Sequence, residues 1–236
     1  RAPLAMLAAA VVLFLFIIAI LAPLVAPTNP FDPASLNLMN GFTPPMTPNM
    51  FTGHSFVMGT DDQGRDLLSA IIYGLRVSLF VGVMSVLLAM GIGVSLGLVA
   101  GYVGGWLDNL IMRIADIQLT FPSILIAMLI FGVLRGIIPP DLRDEMAIFV
   151  LIAAIGLSEW VPFARTVRAT TLVEKEKEYV QAARLIGLRR GQIMWRHILP
   201  NVIGPVLVIA TITLALAIIS EATLTFLGVG APPTPR

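Results

Sequence analysis

Hydrophobic and polar positions fall in blocks along this chain rather than in the narrow stripes of soluble amphipathic elements. A helix needs about 20 apolar residues to cross some 30 Å of hydrocarbon. Residues 4–25, 77–102, 117–134 (beginning near Trp106), 146–163 and 201–221 approach that length. The first two stretches carry no charged residue at all. The first reads as a retained anchor rather than a secretory leader, because its apolar run is longer than a leader's and Pro27 follows the small-residue cleavage position. The pattern predicts an all-α integral membrane protein with five transmembrane helices.

Composition agrees with that pattern. The 236 residues are 57% hydrophobic and 12% charged, with a mean hydropathy of +0.91, whereas soluble domains carry about 25% charged residues. There is no cysteine, which removes disulfides, thiolate nucleophiles and cysteine-based zinc sites. The two histidines, His54 and His197, are far apart in the chain. No metal site and no catalytic constellation is expected. The net charge of +1 says nothing about partners, but the placement of the charges does.

Arg165, Arg168, Lys175, Lys177, Arg184, Arg189, Arg190 and Arg196 put eight of the fifteen basic residues between positions 164 and 203. Basic loops stay in the cytoplasm, so the fourth helix is expected to run inward and the fifth outward. Counting back places the N-terminus in the cytoplasm and residues 26–76 outside. Five spans leave the C-terminus outside. The chain opens on Arg1 rather than Met and stops at Arg236 after a proline run. It reads as a piece of a longer chain, with a sixth helix expected beyond Arg236.

Three divisions follow: a first transmembrane helix at 1–25, an extracytoplasmic segment at 26–76, and a core at 77–236 with a cytoplasmic loop at 164–203. The outer segment holds Pro27, Pro30, Pro33, Pro44, Pro45 and Pro48 and is expected to be extended and irregular. Asp61 or Asp62 then caps a short interfacial elbow helix carrying Leu67, Leu68, Ile71, Ile72 and Leu75 on one face. In the second span Ala89, Gly93, Gly97 and Gly101 recur every four residues, the spacing that admits a second helix closely. Arg113 and Asp116 are placed to pair at helical spacing. Glu159 and Glu221 are expected near span ends, leaving no ionised group at a helix centre. No P-loop occurs, so any ATP site lies on another subunit.

The basic loop contains Glu178-Tyr179-Val180-Gln181-Ala182-Ala183-Arg184-Leu185-Ile186-Gly187 and, further on, His197-Ile198-Leu199-Pro200-Asn201. Ala182 and Ala183 favour helix and offer a flat surface, and Gly187 permits a helix stop and sharp turn. A second helix is predicted from about Arg190 toward Leu199, with Pro200 preventing simple continuation into the fifth span. The result is a helix-turn-helix shaped to dock on a soluble partner, with Ala183 and Gly187 at its tip.

This loop resembles the EAA loop of ABC importer permeases. Ala182, Ala183, Gly187, Leu199 and Pro200 fall in register, while Gln181 stands where the motif has Glu and His197 where it has Ile. Glu178 is the candidate for the acidic group. Further stretches carry the likeness: Gly59-Thr60-Asp61-Asp62-Gln63-Gly64-Arg65-Asp66, Tyr73-Gly74-Leu75-Arg76-Val77-Ser78-Leu79, Gly101-Tyr102-Val103-Gly104-Gly105-Trp106-Leu107-Asp108, Met112-Arg113 with Asp116, and Phe226-Leu227-Gly228-Val229-Gly230-Ala231-Pro232-Pro233. They look like the dipeptide, oligopeptide and nickel permease family, and within it the C-type permease. The resemblance implies a type I importer permease fold in a bacterial inner membrane, with six transmembrane helices. It implies a sister permease, two ATPase subunits holding ATP and magnesium, an extracytoplasmic substrate-binding protein, and alternating access. This chain itself then needs no cofactor. Glu178, Tyr179, Gln181, Ala182, Ala183, Gly187, Leu199 and Pro200 become the expected ATPase-coupling residues.

Peptides are the expected cargo, with nickel or another small solute as the alternative. A stand-alone secondary carrier would need internal repeats and broken helices lining a site, and an intramembrane enzyme would need a nucleophile with its base inside a span. Phe80, Met84 and Met128 read as packing or lipid-facing residues, and no residue of the pathway is identified.

Overall fold

The computed structural model describes residues 3–30, 32 and 37–228; Pro33 and residues 229–233 lie outside them. Among the described residues there is no strand, only the isolated bridges Pro48 to Ser55 and Thr60 to Asp66. The helices are α1 Pro3–Ile20, α2 Ala22–Val25, α3 Leu67–Val103, α4 Gly105–Leu119, α5 Ser123–Ile137, α6 Arg143–Ser158, α7 Trp160–Glu174, α8 Glu178–Leu185, α9 Arg190–Ile193 and α10 Leu199–Phe226. A π turn, Met194–Ile198, joins α9 to α10. Residue contacts divide the chain into two compact units, one reaching Phe80 and the other beginning at Val81.

In the first unit, α1 is uncharged and exposes nearly every side chain, including Leu7, Phe14 and Ile17. A helix that is hydrophobic all round belongs in lipid. The proline-bearing segment that follows is irregular, as expected, but it is knit together. Asn40, Thr43 and Thr60 are buried. Thr43 N donates to Thr60 Oγ1 at 2.9 Å, and Asn49 Nδ2 donates to Thr43 Oγ1 at 2.7 Å.

Two expectations about the start of α3 are corrected. Asp66, not Asp61 or Asp62, caps the helix, accepting from Ser69 N at 3.0 Å and Ser69 Oγ at 2.5 Å. Asp61 instead closes the preceding turn, accepting from Gln63 N, Arg65 N and Arg65 Nε. The expected elbow is also not a separate element, because residues 67–75 continue without a break into the span as one 37-residue helix. No proline interrupts this stretch, so the backbone ladder has no cause to stop.

The second unit contains the glycine ridge of α3. A Cβ on Gly93 would lie 2.5 Å from Trp160 O, one on Gly97 2.5 Å from Ala164 O, and one on Gly101 2.9 Å from Arg168 O. Helix α7 therefore lies directly on the ridge, as the four-residue spacing predicts. Ala100, Ile111, Ala115, Trp160, Val161 and Ala164 form a shared core, joining α3, α4 and α7.

The third and fourth spans are both broken. Helices α4 and α5 meet at 99°, and the pair Pro140–Ser158 with Trp160–Glu174 bends by 41°. Three helical runs, Pro3–Ile20, Leu67–Val103 and Arg190–Phe226, are long and apolar enough to cross a membrane, and up to five spans result when each bent pair counts as one. The first break has a local cause: Pro122 cannot donate and pushes Phe121 out of helical backbone. At the second, Pro162 leaves the Ser158 carbonyl without its helical donor. Gln118 Nε2 supplies one at 2.9 Å, and Trp160 Nε1 donates to Gln118 Oε1 at 2.7 Å. Glu159 sits at this bend, buried, in the middle of the bent pair rather than near a span end.

Candidate functional site

The segment from the end of α7 to the head of α10 is the helix-turn-helix expected from the sequence. Helix α8 starts at Glu178 and is amphipathic: Val180 and Ala183 are buried, while Tyr179, Gln181, Ala182, Leu185 and Ile186 are exposed. It ends in a Schellman motif. Leu188 N donates to Ala183 O at 3.1 Å and Gly187 N to Arg184 O at 3.0 Å, with Gly187 at φ +80°. An L-residue in that left-handed backbone costs roughly 1–2 kcal/mol, which is why glycine stands there. The turn exposes a large apolar surface, with Leu185 89% and Ile186 74% accessible.

The sequence-expected residues separate into distinct roles. Glu178 is exposed in the first turn of α8, and Gln181 is exposed with Nε2 donating to Glu176 O at 2.9 Å. Ala182 faces outward, but Ala183 is only 4% exposed. Ala183 is therefore a packing residue, not part of an exposed tip, because its face of α8 is turned inward with Val180. Gly187 shapes the turn. Leu199 and Pro200 stand at the head of α10, beyond α9 and the π turn.

Pro200 does not break the fifth span. It occupies the first turn of α10, where a missing N–H is tolerated. The preceding π turn absorbs the change in register, with Leu199 N donating to Met194 O, five residues back. Asn201 Nδ2 adds a bond to His197 O at 2.7 Å.

Side chains tie α8 to three longer helices. Tyr179 Oη donates to Glu174 Oε2 at the end of α7, 2.6 Å away, and accepts from Asn201 Nδ2 of α10 at 3.2 Å. Lys177 Nζ holds the other Glu174 oxygen at 2.6 Å. Arg184 lies over the Tyr102 ring of α3, 5.3 Å from its centroid, and Lys175 Nζ donates to Gly101 O at 3.1 Å. Loss of water around the phenol, and then its bond to the Glu174 carboxylate, push the Tyr179 pKa up to about 12. It remains a donor at any physiological pH.

A second polar seam holds α7 to α4. Arg168 forms a fork on Asp108, with Nε to Oδ1 at 2.5 Å and Nη2 to Oδ2 at 2.7 Å. Asp116 pairs with Arg165 rather than with Arg113, which stays exposed. The partners in these pairs are 60 and 49 positions apart, so helical spacing could not reveal them. Among the described residues, no group of three or more His, Cys, Asp or Glu side chains is arranged to hold a metal ion.

The family model for binding-protein-dependent transport system inner membrane components matches residues 93–235. The chain belongs to that family. A model for the N-terminal transmembrane domain of oligopeptide transport permease C matches residues 1–45 of this permease. The dipeptide transport system permease protein DppC of Haemophilus influenzae is 39% identical over 95% of this chain and 72% of its own length. The oligopeptide transport system permease protein OppC of Bacillus subtilis is 35% identical over 97% of this chain and 68% of its own length. The glutathione transport system permease protein GsiD of Escherichia coli is 40% identical over the whole chain and 72% of its own length. The permease is a non-catalytic, multi-pass inner-membrane component of an ABC importer, working with ATPase and binding-protein partners.

Proposed function

We propose that this permease forms half of a translocation pathway for peptides, in a complex with a sister permease, two ATPase subunits and an extracytoplasmic substrate-binding protein. The N-terminus and the loop at 164–203 face the cytoplasm, and residues 26–76 face outward. The basic residues of that loop support this orientation. The cargo reading rests on relatives that carry dipeptide, oligopeptide and glutathione transport in their names. All three kinds of cargo are built of amino acids, and glutathione is a modified tripeptide.

The observation that carries the coupling assignment is the apolar turn of α8, where Leu185 and Ile186 are exposed beside the small, outward-facing Ala182. Such a surface fits a groove on a soluble partner. Glu178, Tyr179, Gln181, Ala182, Ala183, Gly187, Leu199 and Pro200 then divide into groups that touch the ATPase and groups that hold the docking helix in place. ATP closes the paired ATPases, α8 is carried with them, and the spans open outward to receive cargo from the binding protein.

Purification in mild detergent from the native membrane tests this reading. A sister permease and P-loop ATPases should copurify, and liposomes holding the whole complex should accumulate labelled dipeptide or glutathione only with ATP inside and binding protein outside. A chain that purifies without any ATPase, even after crosslinking, would refute it.

A further inference from the structure

The hydrogen bonds at Tyr179 form a junction between three helices. Its phenol has one O–H to donate and lone pairs to accept. The donor goes to Glu174 at the end of α7, and an acceptor site goes to Asn201 at the head of α10. The charged acceptor makes the Glu174 bond the stronger of the two. Asn201 is not free to swing, because the same Nδ2 also bonds the His197 carbonyl across the π turn. Glu174 is held in turn by Lys177.

We infer that Tyr179 is a positioning residue that transmits displacement of α8 to α7 and α10, and that the π turn with Pro200 exists to bring Asn201 to it. This rests on the reading of α8 as the ATPase-docking helix. The geometry separates two functions on one short helix. Leu185 and Ile186 lie at the exposed end, while Tyr179 lies in its first turn beside the bundle. Without the junction, α8 keeps its covalent connections and the Arg184–Tyr102 contact, but a push on α8 has no side-chain path into α10 through Tyr179. Glu174 and Asn201 act through Tyr179 and are positioning residues too.

The test uses the complete importer in nanodiscs, with single cysteines introduced into this cysteine-free chain. A cysteine at Ile186 reports docking through protection from maleimide. A cysteine at Ile212, exposed on α10, reports movement through the difference in labelling rate between nucleotide-free and ATP-plus-vanadate states. In the unsubstituted complex the docking cysteine is protected and the α10 cysteine responds to nucleotide. Tyr179→Phe removes both phenol bonds and should leave protection unchanged and lower the melting temperature by only a few degrees, while shrinking the α10 response at least about fivefold, the factor for one net hydrogen bond. Asn201→Ala should do the same, and the double variant should be no worse than either. Glu174→Gln keeps an acceptor oxygen and should retain most of the response. A full α10 response in Tyr179→Phe, or no α10 response in the unsubstituted complex, overturns the inference. Lost protection in Tyr179→Phe would make Tyr179 part of the docking surface and also overturns it. An unprotected docking cysteine in the unsubstituted complex would instead sink the coupling-loop reading, and the inference with it.

Discussion

Adding one methyl group at Gly97 tests the closeness of α3 and α7. The new Cβ would lie 2.5 Å from Ala164 O, 2.8 Å from Val167 Cβ and 3.1 Å from Ala164 Cα. Two of those three atoms are backbone, so no side-chain rotation relieves the clash. Carbon atoms settle at about 3.5–4.0 Å from their neighbours, so the helices must part by about 1 Å locally. A gap of that size forfeits a quarter to a half of the dispersion energy along the ridge. Overpacking of this kind costs about 1–3 kcal/mol, which for a chain of this size lowers the melting temperature by roughly 2–4 °C per kcal/mol. Gly91 is the matched control on the same helix. A Cβ there meets nothing within 4 Å, and alanine is the better helix former by up to about 1 kcal/mol. Scanning fluorimetry of the purified complex should place Gly97→Ala several degrees below the unsubstituted protein and Gly91→Ala at or above it. Equal melting of the two variants would refute the ridge-on-backbone account.

Ala182→Glu should leave the melting temperature unchanged and abolish copurification of the ATPases, whereas Ala183→Glu should destabilise the chain itself, since it drives a charge into the packed face of α8. Arg168→Lys should cost about 1.5 kcal/mol by breaking the two-pronged bond to Asp108. Arg165→Lys, at an exposed pair, should cost under about 1 kcal/mol, and thermal melts of both variants decide the matter. The Tyr179 phenol should ionise near pH 12 rather than 10, as read by the ultraviolet tyrosinate signal lost in Tyr179→Phe. Because the folded pKa is raised, its stabilising contribution is complete below pH 10 and disappears as pH rises from about 10 to 12. Tyr179→Phe should show no such loss in that window.

The Ala182–Gly187 turn was legible in the sequence because its cause is local. A glycine placed just past a short helix imposes a left-handed stop, and the carbonyls of Ala183 and Arg184 are satisfied within the same few residues. The α3 ridge was legible for a related reason, since small residues every four positions share one helix face. The breaks were not. Pro122 and Pro162 sit inside windows whose average is strongly apolar, and averaging hides the single residue that removes a backbone donor. Pro200 misled in the other direction: a proline just inside a helix costs little, and a π turn before it keeps the span continuous.

The sequence by itself determined that this chain lives in a membrane, which loop is basic, and where that loop turns. Hydropathy and turn chemistry depend on neighbours a few residues away, so one dimension suffices. Only the tertiary structure decided which face of α8 is buried, separating Ala183 from Ala182. It also decided that Asp116 meets Arg165 and Asp108 meets Arg168, that Gln118 fills the backbone gap left by Pro162, and that Tyr179 joins Glu174 to Asn201. The ion pairs and the Gln118 bond join residues 40 to 60 positions apart, the Tyr179–Asn201 bond spans 22, and the buried face of α8 depends on a rotation about its axis of a single residue. Side-chain pairing follows from that packing and cannot be read from residue order alone.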